Sequence, residues 1–273
     1  MPNLASKKIA YDQNNKRITG IFMSLEFKDH FSVNSENYKK YRPEYPAALF
    51  AYLASISPAK EIAWDCGTGS GQTAKGLINF FKRVVASDPS RPQIENAKEI
   101  VGIKYLVATA ENSTLENENI DLITVSQALH WFRIEHFFKE SERVLKPNGI
   151  LAVWSYNLLS VMPSIDKIIS HFYSKTLGDY WPKERKLVEN GYNEIVFPFM
   201  EVIPPNFEMK AEWNLHELIG YISTWSAVQE FQSANNASPI GSLYEEACQY
   251  WGEPSRKMTI NWPLTLKIRK KIT

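Results

Sequence analysis

The stretch Trp64–Gln72, WDCGTGSGQ, sets Gly67, Gly69 and Gly71 at alternate positions, just behind an apolar run that ends in Asp65. Glycines at that density permit φ > 0 and a close ligand approach, while free N–H groups at a helix start can face polar ligand atoms. The dinucleotide fingerprint is spaced G-x-G-x-x-G, whereas this loop is G-x-G-x-G with a carboxylate two residues ahead. A pyrophosphate would be repelled by that carboxylate and a cation attracted. The loop therefore points to a nucleoside that carries positive charge. The alternative is a tight strand-to-helix turn in an unrelated α/β protein.

A second acid, Asp88, closes the run in ASDPS. One strand over from the loop, it can accept hydrogen bonds from both ribose hydroxyls, a role shared by nucleoside-binding folds; its other reading is helix capping beside Ser90. Further on, SQALHWF (126–132) brings His130 to the end of a strand, the edge where doubly wound sheets bind ligands. His30, His136, His171 and His216 have no such setting.

The elements that must hold these residues follow from periodicity. After Pro46, Leu49, Phe50, Leu53 and Ile56 mark one helix face, and EIAW is a short buried strand. Ala74, Leu77, Ile78 and Phe81 recur at helical spacing, and RVVAS is a second strand. Ser90 and Gln93 form a capping box for a helix with Ile94, Ala97 and Val101 inward. IKYLVA and IDLITVSQ read as the third and fourth strands. Ile134, Phe137, Phe138, Ser141, Val144 and Leu145 line a helix, LKPNG stops it, and ILAVWSY is the fifth strand. Strands alternating with helices predict a parallel sheet. Residues 157–200 read as helical and aromatic with no strand of their own. A strand at 207–213, helices through LHELIGYI and SLYEEACQYW, and a closing strand over 257–270 complete the chain.

The 273 residues carry a formal net charge of +1 and two cysteines, Cys66 and Cys248. That balance recommends neither nucleic acid nor an anionic membrane as partner, and the cysteines make neither a disulfide framework nor a zinc site. No metal ligand set is expected. No run reaches the roughly 18 apolar residues of a membrane span, and a cytoplasmic location is expected. Residues 1–22 read as an unstructured extension, since Met23 offers a second start, and 23–273 as one domain.

The loop resembles the first motif of class I S-adenosylmethionine-dependent methyltransferases. CGTGSGQ, QALHWF and LKPNG together are similar, more narrowly, to a small-molecule branch that includes trans-aconitate methyltransferase-like proteins, and YKKYRPEYP (38–46) is similar to the segment that closes over the cofactor there. The matching motifs span 38–156. The resemblance implies a Rossmann-like α/β sheet, parallel with an antiparallel C-terminal strand, helices on both faces and a helical cap. It also implies S-adenosylmethionine as cofactor, with Tyr38, Arg42, Asp65, Gly67, Thr68, Gly69, Gly71, Gln72, Asp88, Thr109, Ala110, Glu111, Gln127 and Ala128 around it. Asp65 would serve the amino-acid portion directly or through water, and Arg42 its carboxylate. Adenine contacts would fall to Thr109, Ala110 or Glu111, although Thr109 stands where relatives often carry an acid.

Methyl transfer from a sulfonium is an in-line displacement in which positioning supplies much of the rate. Trp131, Trp154, Tyr156 and Trp225, with Phe172, Tyr173 and Trp181, are candidate walls of an acceptor pocket, core packing being the alternative for each. A carboxylate acceptor needs no base, whereas a hydroxyl gains from one, and His130 is the candidate base, with packing or hydrogen bonding as its other role. The expected partner is a small-molecule methyl acceptor, with the chain a monomer or homodimer. The competing readings are a nicotinamide-dependent oxidoreductase, which the spacing and Asp65 count against, and a cofactor-binding sensor without turnover.

Overall fold

The computed structural model describes residues 41–272. Tyr38, His30 and the extension expected at 1–22 lie outside them. The frame of the described part is an eight-stranded sheet in the order β3-β2-β1-β4-β5-β8-β6, with β7 also paired to β8. β1 (Ile62–Cys66), β2 (Arg83–Asp88), β3 (Ile103–Val107), β4 (Ile120–Ser126) and β5 (Leu145–Tyr156) run parallel. β8 (Met258–Lys270) is antiparallel to β5, to β6 (Met200–Val202) and to β7 (Glu208–Trp213).

The central strands are largely apolar on both faces because both sheet faces are covered. All five residues of β1 are buried, yet they serve two different cores. Ala63 packs with Leu49 and Phe50 of α1 (Ala47–Ile56) and with Ala74 and Leu77 of α2 (Gln72–Leu77). Ile62, Trp64 and Cys66 turn to the opposite face. There they share a core with Phe137 and Val144, which belong to the helix Ile134–Val144. Asp65 has the parity of Ala63, so the carboxylate points beneath the loop and α2.

The helix expected after Asp88 is the single turn α3 (Arg91–Glu95), and Val101, expected on its inner face, is 97% exposed. The capping box of Ser90 and Gln93 is not made, because the Ser90 side chain forms no cap and its N–H donates instead to Asp88 Oδ1. The helix Ile134–Val144, α4, follows its periodicity, with the addition of Glu140 buried among the apolar positions and tied to Arg143 and Ser113.

Beyond β5, α5 (Pro163–His171) lies in the same core as α7 (Leu215–Ser223) and α9 (Ile240–Trp251), on the α1 side of the sheet. α6 (Arg185–Glu189) and the chain after it reach the other side, where Val188 and Tyr192 join Trp64. α8 (Ser226–Asn235) follows α7 directly. β6, three residues long, is too short to carry a readable alternation. The basic end of the chain is used internally: Lys271 Nζ donates to the Glu142 and Leu145 carbonyls at the end of α4, and Arg269 Nη1 to Glu201. Among the described residues no helix is long and apolar enough to cross a membrane, and no cluster of His, Cys, Asp or Glu is placed to hold a metal ion.

Candidate active site

The glycine loop leaves β1 and is fastened to β2, where the N–H groups of Gly67 and Thr68 both donate to the Ser87 carbonyl, at 2.8 and 3.0 Å. All three loop glycines have positive φ, +70°, +55° and +87° in order. Their surroundings differ. A Cβ on Gly67 would stand 2.6 Å from Ala128 Cβ and one on Gly71 2.6 Å from Tyr105 Oη, whereas one on Gly69 would meet nothing within 4 Å. The outer glycines are demanded by the protein's own packing, and the middle one faces open space.

Strand register explains what lies under the loop. Tyr105, Ala86, Asp65, Thr124 and Ala152 form one row across β3, β2, β1, β4 and β5, all on one face. Alanine beside Asp65 on β2 leaves room for Tyr105 to reach Gly71, and Thr124 on β4 donates to Asp65 Oδ1 at 2.9 Å. Thr68 donates to Oδ2 at 2.5 Å. Asp65 has no exposed surface. Burial raises its pKa to about 6, against the lowering effect of Thr68, Thr124 and the Ala74 amide, and the Asp88 charge adds to the rise. Burial, with the charges of Asp65, Glu111 and Asp88, also pushes the Cys66 thiol well up.

Asp88 takes the Gly69 N–H on Oδ2 and the Ser90 N–H on Oδ1, each at 2.9 Å. Gln72 Nε2 donates to the Pro43 carbonyl at 2.6 Å, joining α2 to the segment that carries Arg42. Arg42 Nη1 donates to Tyr156 Oη at 2.7 Å and the guanidinium lies 5.4 Å from the Tyr221 ring centroid. At the end of β4, Gln127 adopts φ +53°, a left-handed conformation that non-glycine residues rarely take. Its N–H donates to the Trp154 carbonyl and its side chain to that of Tyr156. That bend carries Ala128 against Gly67.

The family of known proteins with this arrangement is clear from comparison. Residues 64–153 match the methyltransferase domain family. A protein of Dictyostelium discoideum described as a methyltransferase is 34% identical over 253 residues, covering 90% of this chain and 96% of its own. The chain belongs to the S-adenosylmethionine-dependent methyltransferases. A Saccharomyces cerevisiae protein described as such an enzyme is 21% identical, over 76% of this chain and 84% of its own. The solved structure of a protein from Anaeromyxobacter dehalogenans, described as a type II methyltransferase, superposes with a TM-score of 0.80 at 37% identity, covering 85% of this chain and 99% of that one. The methyl donor is S-adenosylmethionine, and the site fits it: open space over Gly69, a carboxylate pair on β1 and β2, and no basic group in the loop to match a pyrophosphate.

In this methyltransferase several expected residues stand apart from open space. Asp65 is sealed beneath the loop, where Thr68 covers it by a hydrogen bond. Glu111 accepts the Arg133 N–H at 2.8 Å at the start of α4, while Ala110 is buried and Thr109 exposed. Trp154, expected as a pocket wall, is fully buried and packs edge-on against Tyr45 at 5.5 Å, because β5 is central in the sheet. Phe172 is likewise part of the core.

His130 is buried beside Trp131, its Nδ1 3.0 Å from Tyr192 Oη. Burial, with the charge of Arg185, lowers its pKa to about 3. It therefore stays neutral at physiological pH, and its contacts are those of the packing and hydrogen-bonding role, one of the two weighed for it on sequence. Sequence reasoning missed Tyr105, Thr124, Tyr192 and Arg185. Thr124 carried a signal, a hydroxyl inside the apolar run IDLITVS at the register position of Asp65.

Proposed function

We propose that this site transfers the methyl group of S-adenosylmethionine to an oxygen of a small-molecule acceptor, a carboxylate or a hydroxyl, by in-line displacement without a metal. The observation that carries the reading is the glycine loop, whose outer positions are closed by protein and whose middle position is open, with its N–H held by Asp88. The cofactor supplies a methyl group on a positively charged sulfur that leaves as a neutral thioether, so no further Lewis acid is needed for departure.

The chain's own residues then bind, orient and exclude water. Gly69 lets the ligand lie against the backbone, and Asp88, oriented by the Gly69 and Ser90 N–H groups at the end of β2, presents its carboxylate to the ribose hydroxyls. Asp65 supplies negative charge from below through Thr68. Arg42, steadied by Tyr156 and Tyr221, offers a guanidinium fork to the amino-acid carboxylate. The Ala110 backbone with Thr109 borders the adenine. His130 and Tyr192 hold each other and the turn after β4, a positioning role. With so weak a base at the strand end, an acceptor oxygen that is already ionised suits the site better than a hydroxyl that must lose a proton.

Calorimetric titration with S-adenosylhomocysteine and with NAD, followed by methyl transfer to a metabolite panel, tests this. Tight binding of S-adenosylhomocysteine with methyl transfer is expected. Binding of NAD alone would overturn the reading, and cofactor binding without any transfer would favour the sensor.

A further inference from the structure

The backbone just past β4 is held in a conformation that its residue type does not favour. Gln127 has φ +53°, where the Cβ of an L residue crowds the carbonyl oxygen that follows. Residues in that state persist only where their surroundings over-determine them, and they collect at functional sites. Two hydrogen bonds to β5 fix this one. The Gln127 N–H donates to the Trp154 carbonyl at 3.0 Å and closes a ladder whose last register pair is Ser126 with Trp154. The side-chain Nε2 donates to the Tyr156 carbonyl at 2.9 Å. Along a parallel ladder the donors come from alternate residues, so a β4 that ran on would offer Tyr156 the N–H of Leu129. The Gln127 amide stands in for it, and β5 keeps a partner where β4 turns away.

The residue so held is the one that carries Arg42. Tyr156 ends β5, and its hydroxyl accepts from Arg42 Nη1 at 2.7 Å. Its ring centroid lies 6.5 Å from that of Tyr45, and Ser126 Oγ donates to the Tyr45 hydroxyl at 2.8 Å. The carbonyl of Tyr156 and the neighbour of its ring are thus both tied to the end of β4. On the other side of the bend Ala128 lies against Gly67, where an added Cβ would come within 2.6 Å. Gln127 therefore stands between the glycine loop and the guanidinium assigned to the amino-acid carboxylate of the cofactor.

We propose that Gln127 is a positioning residue for cofactor binding: by fixing the Tyr156 carbonyl, its side-chain amide holds the Tyr156 hydroxyl where Arg42 meets the amino-acid portion of S-adenosylmethionine. The inference rests on the role of Arg42 proposed above, and it replaces the ligand contact that the resemblance implied for Gln127 with an action through Tyr156.

The test uses the full chain and follows by calorimetry the binding of S-adenosylhomocysteine and of 5′-methylthioadenosine, which lacks the amino-acid portion. Gln127→Met keeps the length of the side chain and removes the donor. It is expected to weaken S-adenosylhomocysteine by about 2- to 12-fold, the range for one hydrogen bond, and to leave 5′-methylthioadenosine within about twofold of the wild type. Gln127→Gly, which takes the left-handed bend without strain, should give the same split, and it is the variant that decides if the methionine form melts far below the wild type. Because Gln127 acts through Tyr156, the double variant Gln127→Met, Tyr156→Phe should bind S-adenosylhomocysteine at least about twofold more tightly than the product of the two single losses implies. Unchanged S-adenosylhomocysteine affinity in both Gln127 variants, an equal loss for the two ligands, or single losses that simply multiply in the double variant would overturn the proposal, the last by marking a direct contact. Wild-type protein that binds the two ligands alike would instead sink the role of Arg42, so the two failures are separable.

Discussion

Replacing Gly69 by alanine separates a loop shaped by its own packing from one shaped for a ligand. At φ +55° an L residue is held in the left-handed region, at a cost of roughly 1–2 kcal/mol. The added methyl meets no described atom within 4 Å, so nothing else is strained. For a domain of this size each kcal/mol moves Tm by about 2–4 °C, so a fall of about 2–8 °C is expected. Gly67→Ala carries the same backbone cost and also sets two carbons 2.6 Å apart, against an optimum of about 3.5–4.0 Å, which adds about 1–3 kcal/mol of overpacking.

The binding readout should run the other way. The Gly69→Ala methyl occupies the space assigned to the cofactor, so calorimetry should show the S-adenosylhomocysteine Kd raised at least about tenfold, or about 1.4 kcal/mol. In melts with ligand at about 100 times the wild-type Kd, ligand stabilisation of about 2.7 kcal/mol should shrink to about 1.4. A Gly69→Ala protein that melts slightly early but binds S-adenosylhomocysteine as tightly as the wild type would refute the reasoning, because the ligand would then not pass over Gly69. Equal destabilisation by the two substitutions would refute the difference in packing.

Asp88→Asn leaves an amide N–H₂ facing one of the two backbone N–H donors and removes the charge. S-adenosylhomocysteine affinity should drop by about 1–3 kcal/mol in calorimetry on the folded variant, and unchanged affinity would remove Asp88 from the ribose. Because the Asp65 pKa is raised to about 6 and a cationic ligand favours its ionised form, cofactor affinity should be full above about pH 6 and decline below it as the carboxylate takes up a proton. Asp65→Asn should bind more weakly and lose that decline, and an identical pH profile in the variant would argue against a charge role. His130→Asn should change turnover by a factor independent of pH between 5 and 8, since its pKa of about 3 lies outside that window; loss of a limb near pH 6.5 in the variant would restore His130 as the base.

Much of this methyltransferase was legible because its strongest constraints are local. A glycine is needed wherever a backbone turns through positive φ, and three of them between a buried strand and a helix mark the loop whatever surrounds it. Strands buried on both faces are largely apolar, and helices alternate with them through the first half, so the parallel direction of β1 to β5 followed from the alternation. Asp65 and the loop spacing pointed by themselves to a nucleoside carrying positive charge, and the resemblance of the motifs implied S-adenosylmethionine as the donor.

What the tertiary structure decided is everything that depends on which distant segment lies opposite. Gly67, Gly69 and Gly71 are equivalent as letters, and only Ala128 and Tyr105, from β4's end and from β3, make the outer two a packing requirement and leave the middle one open. Asp65 is sealed by Thr124 because β1 and β4 pair in that register; a shift of one residue would turn the hydroxyl to the other face. Trp154 and Trp181 have the same side chain, but a central strand buries the first while the chain crossing beyond β5 sets the second beneath Arg185. Burial and partner are properties of the assembled sheet and helices, and they are what sorted a list of aromatic and charged residues into core packing and cavity lining.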